Sequence, residues 1–210
     1  IALEVILGID NIIFISILSD KLPENQRNKL RYWGIGLAMI MRLLLLAVIS
    51  WILRLDQTLF TLFDIAFSGK SLILIVGGLF LLYKSTKEIY HKSEIADEET
   101  PRIPVKSSFG KLLGEVILLD LVFSVDSIIT AVGMVNELWV MYTAVIVTVI
   151  IMLIASKPIS NFIYKHPSFK ILALCFLMMI GVSLLAEGFQ FKIPKGYIYF
   201  SMAFAFLVDV

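Results

Sequence analysis

The chain has 210 residues, 59% of them hydrophobic and only 17% charged, with a formal net charge of +1. Soluble domains carry about 45–50% apolar residues, and a mean hydropathy of +0.92 leaves too little polar material to cover a water-facing surface. These values exclude an ordinary soluble enzyme. The net charge says nothing about nucleic acid, because the basic residues fall between apolar runs and not on one face, and the lone Cys175 excludes an intramolecular disulfide.

Apolar runs predict an all-α polytopic membrane protein with helices at Ile1–Leu18, Trp33–Leu53, Ser71–Leu82, Leu112–Met134, Leu138–Ala155 and Phe169–Ala186, and a seventh transmembrane helix starting near Tyr197. The third can continue through Lys84–Tyr90, and Leu22-Pro23-Glu24 can open a short surface helix through Arg31. The first residue is apolar and is not Met, and the last lies inside an apolar run. We therefore expect a fragment cut within helices at both ends.

Lys and Arg set the orientation. The first, third and fifth connections hold thirteen of them, the second, fourth and sixth only four. The positive-inside rule places the basic loops 20–31, 84–111 and 157–170 in the cytoplasm of a multi-pass plasma or inner membrane protein. The first helix then runs inward and the fourth outward. The expected organisation is a first three-helix repeat over 1–92, a solvated acidic linker over 93–108, a second, inverted three-helix repeat over 109–190, and the start of a seventh helix over 191–210. That is the plan of many secondary transporters.

One motif occurs in both halves. Leu3-Glu4-Val5-Ile6-Leu7-Gly8-Ile9-Asp10-Asn11 returns 116 residues later as Leu119-Asp120-Leu121-Val122-Phe123-Ser124-Val125-Asp126-Ser127. Each copy places two acids six residues apart inside an apolar run, where a carboxylate costs several kcal/mol and seldom stands without a task. On a continuous helix the two acids face about 120° apart, whereas Glu4 and Asn11 share a face, as do Asp120, Ser124 and Ser127. Gly8 would allow an unwound segment between the acids of the first copy. Carboxylates with Asn and Ser oxygens suit a hard divalent cation such as Mn²⁺, Mg²⁺ or Ca²⁺. Both histidines, His91 and His166, lie in loops, which argues against a soft-metal site within the membrane. Arg42, about nine residues inside the second helix, is either the counter-ion of an empty site or one half of a structural ion pair. Glu187 is expected at the outer surface in water, and Gly77-Gly78 at a close helix contact.

With these residues in view, the chain resembles the TerC family of integral membrane proteins, relatives of the LysE exporters. The resemblance rests on Glu4–Asn11, Lys21-Leu22-Pro23, Arg42-Leu43-Leu44-Leu45, Gly77–Leu82 and Leu119–Ser127. Lys165-His166-Pro167, Ala186-Glu187-Gly188-Phe189 and Ile193-Pro194-Lys195-Gly196-Tyr197 resemble the bacterial subgroup whose membrane part is followed by cytoplasmic domains. What the resemblance implies is export of Mn²⁺, with an older link to tellurite resistance. Mn²⁺ would be cargo and not a cofactor, and the chain would not be an enzyme. Carried over by motif, the metal-site residues are Glu4, Asp10, Asn11, Asp120, Asp126 and Ser127; a common family variant has Asn where Ser127 stands. The expected partners are the divalent ion and the lipid bilayer, and no nucleic acid, with oligomeric state left open. Two other readings stand beside the exporter. One is a membrane scaffold that assists metal loading of exported enzymes. The other is an intramembrane aspartyl protease using Asp10 and Asp126 as its acid/base pair; against it, no Gly-Xaa-Gly-Asp occurs.

Overall fold

The structure is a computed structural model that describes residues 2–48, 56–62, 65–95, 108–134, 137–191 and 193–209; the side chains of 2–7, 9, 10, 92–95, 134, 167, 206 and 209 lie outside the description. In chain order the elements are α1 (Ala2–Ser19), α2 (Glu24–Ala47), β1 (Thr58–Leu62), β2 (Ile65–Ser68), α3 (Gly69–Ile95), α4 (Phe109–Met134), α5 (Leu138–Lys165), α6 (Pro167–Gly188) and α7 (Lys195–Asp209). Four stretches are long and apolar enough to cross a membrane: Glu24–Ala47, Phe109–Gly133, Leu138–Lys165 and Ser168–Gly188. The chain is mostly helical, as the apolar runs predict.

The helices outrun the apolar windows at several ends. Pro23, at the N-cap position with an extended backbone, starts α2 at once, and Glu24 sits in its first turn where an acid complements the helix dipole. The expected surface helix and second span are thus one helix. α5 passes through Pro158 and reaches Lys165. Proline removes one ladder hydrogen bond there, yet the polar segment beyond it stays helical because Ser156, Ser160 and Ile163 are buried on the packed face.

The first compact unit takes Ile1–Gln57 and Val105–Tyr164, so it contains α1, α2, α4 and α5 up to Tyr164. Gly8 and Gly34 set close approaches within it: a Cβ at Gly8 would fall 2.8 Å from Met152 Sδ, and one at Gly34 3.2 Å from Val116 Cγ1. α1 is helical throughout Ala2–Ser19 and α4 throughout Phe109–Met134. This corrects the unwound segment allowed for at Gly8. The glycine lets a helix from the other half of the chain approach, and it does not break its own. Lower down the same seam, Ser16 Oγ and Ser160 Oγ are hydrogen-bonded at 2.5 Å, and Ser19 Oγ bonds Tyr164 Oη at 2.5 Å. The contact pairs advance together along both helices, so α1 and α5 are parallel.

The second unit takes Thr58–Pro104 and Lys165–Val210. Its β1–β2 hairpin is antiparallel, with Leu62 opposite Ile65 and Thr58 opposite Ser68. The β-branched and aromatic run Thr58-Leu59-Phe60-Thr61 favours a strand over a helix, and Phe60 stacks on Phe67 with centroids 5.3 Å apart. No strand is expected from the hydropathy pattern, which registers this run only as apolar. α3 and α6 are antiparallel and meet at small residues. A Cβ at Gly78 would lie 2.8 Å from the Gly181 carbonyl oxygen, and one at Gly181 3.1 Å from that of Gly78. Close packing at Gly78 is thus as expected. Gln190, at φ 67°, ends α6 by turning the chain so that Phe191 N–H donates to the Ala186 carbonyl at 2.8 Å. Its side-chain amide donates to the Ala66 carbonyl and to Ser71 Oγ, both at 3.1 Å, which holds the residue in this uncommon conformation. Glu187 is not simply solvated: it pairs with Lys70 Nζ at 3.2 Å and Lys195 Nζ at 3.8 Å, its side chain 21% exposed.

Candidate functional site

The polar centre of the first unit is Asp120, midway along α4 and 2% exposed. Its Oδ1 accepts from Asn11 Nδ2 at 2.7 Å, from Arg42 Nη2 at 2.8 Å and from Arg42 Nε at 3.2 Å. Ser124 Oγ, one helical turn on, donates to Oδ2 at 3.2 Å. Asn11 is 5% exposed, Arg42 3% and Ser124 fully buried. Three helices, α1, α2 and α4, therefore converge on a single carboxylate. Burying an ion pair repays its desolvation only when the geometry is close and the remaining lone pairs are satisfied. Both conditions hold at Asp120, and Arg42 forms a buried ion pair with it.

A small cavity among the described residues adjoins this pair. It measures about 10 Å³ and is bounded by Asn11, Phe14, Ile15, Ile35, Ala38, Val116, Asp120 and Met152, roughly the space of one water. Its walls are mostly apolar, so the ion pair is shielded and its electrostatic hold is strong.

Asp126 is also 2% exposed and lies on the same helix, its backbone carbonyl accepting from Thr130 Oγ1 at 2.9 Å. Ser127 is buried, its hydroxyl donating to the Ser124 carbonyl at 3.2 Å. Glu4 and Asp10 occupy α1, but their side chains lie outside the described residues. Of the six expected metal-site residues, then, Asn11 and Asp120 are joined directly, and Ser127 touches the group through the backbone of Ser124. Among the described residues no three His, Cys, Asp or Glu side chains come together as a ready-made metal cluster.

Sequence reasoning placed Ser124 on the face of Asp120 without giving it a bond. It missed Met152 and Ser160, which pack α5 onto α1. Their signal is the run of residues every fourth position on α5, Met152, Ser156, Ser160 and Tyr164, three of them hydroxyls in an apolar helix.

Comparison with known proteins identifies relatives of this chain. The model of the integral membrane protein TerC family matches residues 1–210. The chain belongs to that family. It is 49% identical over 210 residues to the UPF0053 inner membrane protein YoaE of Escherichia coli, and spans 40% of the length of that relative. Against a UPF0053 protein of Haemophilus influenzae it is 48% identical over 209 residues, covering 88% of it. The UPF0053 inner membrane protein YgdQ of E. coli is 47% identical over 207 residues, with 86% covered. No solved structure matches. With its apolar spans and inner-membrane relatives, the TerC chain is a membrane protein.

Proposed function

We propose that this TerC chain is the membrane core of an exporter that moves a divalent cation, Mn²⁺, out of the cytoplasm. Two inverted three-helix repeats, 1–92 and 109–190, would alternate access to the acids between them. The loops 20–31, 84–111 and 157–170 face the cytoplasm in this reading. The cation would be held by carboxylates and neutral oxygens drawn from Glu4, Asp10, Asn11, Asp120, Asp126 and Ser127.

The observation that carries the reading is the burial of Asp120 and Asp126 within an apolar span, both 2% exposed. Buried acids in membrane helices mark ion and proton pathways. The repeat plan has separate support. Within the first unit the two motif helices, α1 and α4, meet through Asn11 and Asp120. In the second, Gly78 and Gly181 approach each other's carbonyl oxygens reciprocally, the self-complementary contact expected where equivalent elements meet on a two-fold axis.

The test is Mn²⁺ uptake into proteoliposomes containing inside-out protein, with intact protein and with Asp126→Asn. Uptake by the intact protein that the substitution abolishes, while the variant still inserts and folds, is the expected result. Equal uptake by both removes the site assignment. No uptake by folded, correctly oriented intact protein removes the transporter reading and favours a scaffold. In a scaffold the Arg42–Asp120 pair would simply lock helices together.

A further inference from the structure

Helices α2 and α5, the second members of the two proposed repeats, correspond at an offset of 110 residues. Buried positions 31, 34, 35, 38, 42 and 46 of α2 recur as buried positions 141, 144, 145, 148, 152 and 156 of α5. Gly34 answers to Ala144 and Tyr32 to Tyr142. At two of these positions the chemistry differs. Arg42, which grips Asp120, answers to Met152; Ala38, which lines the cavity beside Asp120, answers to Thr148.

The register of α1 against α5 is also known. Gly8 meets Met152 and Ser16 meets Ser160, both separated by 144 residues. One turn earlier the same register brings Thr148 to the level of position 4, the motif counterpart of Asp120. Thr148 is 1% exposed, and its hydroxyl has no hydrogen-bond partner among the described residues. Threonine in a helix ordinarily donates to the carbonyl four residues back, as Thr143 does to Trp139 and Thr130 to Asp126. A buried hydroxyl without a partner is costly, and Val would fill the same space without that cost.

We propose that Thr148 supplies a neutral oxygen ligand to the transported cation at the level of position 4, on the half of the site where Met152 stands in place of the guanidinium. This rests on the exporter reading and divides its site into two unequal halves. The α2/α4 half is neutralised by Arg42. The α1/α5 half has no built-in cation at the matching position and offers an uncommitted oxygen. A hard divalent ion stripped of water takes such oxygens beside carboxylates.

The experiment compares full-length protein with Thr148→Val, Thr148→Ser and Asp126→Asn in detergent, measuring Mn²⁺ affinity and thermal unfolding with and without Mn²⁺. We expect Thr148→Val to weaken Mn²⁺ binding about tenfold or more, while the metal-free variant unfolds at the same or a higher temperature and Thr148→Ser retains affinity. A Thr148→Val protein that binds Mn²⁺ like the intact protein overturns the assignment, as does one whose metal-free fold is less stable with no change in affinity. If Thr148→Val is silent but Asp126→Asn abolishes binding, this inference fails and the exporter reading stands. If the intact protein binds and transports no Mn²⁺, both fail.

Discussion

Arg42 and Asp120 offer the sharpest test of the energetics. Two guanidinium nitrogens, at 2.8 and 3.2 Å, share one carboxylate oxygen with Asn11, and neither side chain is more than 4% exposed. Removing one partner of such a pair strands a charge in a low-dielectric interior, at a cost of about 3–5 kcal/mol. Arg42→Met alone and Asp120→Asn alone should therefore each destabilise by that amount. Met keeps much of the side-chain length without the charge, and Met152 stands at the matching place on α5 in the proposed correspondence. Removing both charges leaves neither member of this pair stranded, and replacing a buried pair by neutral groups is often nearly neutral. The double variant should then lose no more than about 3 kcal/mol, far below the sum of the singles, for a coupling of at least about 3 kcal/mol. Reversible denaturant unfolding in micelles, followed by tryptophan fluorescence, measures all three. Single-variant costs that add to within about 0.5 kcal/mol in the double variant would show that the two groups do not interact, and would refute the reasoning.

Two further outcomes follow from packing and from charge. Gly78→Ala should lower stability by about 1–3 kcal/mol, because the added methyl meets the Gly181 carbonyl at 2.8 Å and the Leu185 nitrogen at 3.0 Å, both backbone. Gly8→Ala should cost less, since its nearest neighbour is the flexible end of Met152; thermal unfolding of the two variants decides, and the reverse order would contradict the contacts. For orientation, cysteines introduced at Lys29 and Glu137 in a Cys175→Ser background should label from opposite sides of the membrane with an impermeant maleimide, Lys29 from the cytoplasm. Labelling of both from one side would overturn the loop-charge assignment.

Much of the helical frame was legible because a membrane span must be both long and apolar, and those two properties are written in one dimension. The ends were less so. Polar residues at 24–31 and 157–165 end an apolar window without ending a helix, since a helix stops for want of backbone partners or at a breaker and not at the lipid boundary. The hairpin at 58–68 escaped because hydropathy is blind to the difference between a strand and a helix in a short apolar run. At the site, spacing on α4 correctly put Asp120, Ser124 and Ser127 on one face. Which residue of another helix meets Asp120 depends on interhelical register, and no local pattern encodes that. Arg42 was singled out because a charge deep in an apolar run needs a partner; that the partner is Asp120, and that Asn11 shares it, is tertiary information.

The two motifs alone describe a symmetric molecule, with an acid, five residues and an acid in each half. The neighbours of those motifs do not repeat so faithfully. Asp120 is held directly by Arg42 of α2, and in the proposed correspondence the matching place against α1 is Met152. In the proposed exporter, a frame of two equivalent halves would supply two access states of similar energy, which is what alternation between sides requires. Arg42 beside Asp120, with Met152 in the matching place, would give the two halves of that exporter different affinities for a cation. Symmetry of backbone and asymmetry of charge would thus divide the work. The first is readable from the recurrence of the acids, the second only from the residues that pack against them.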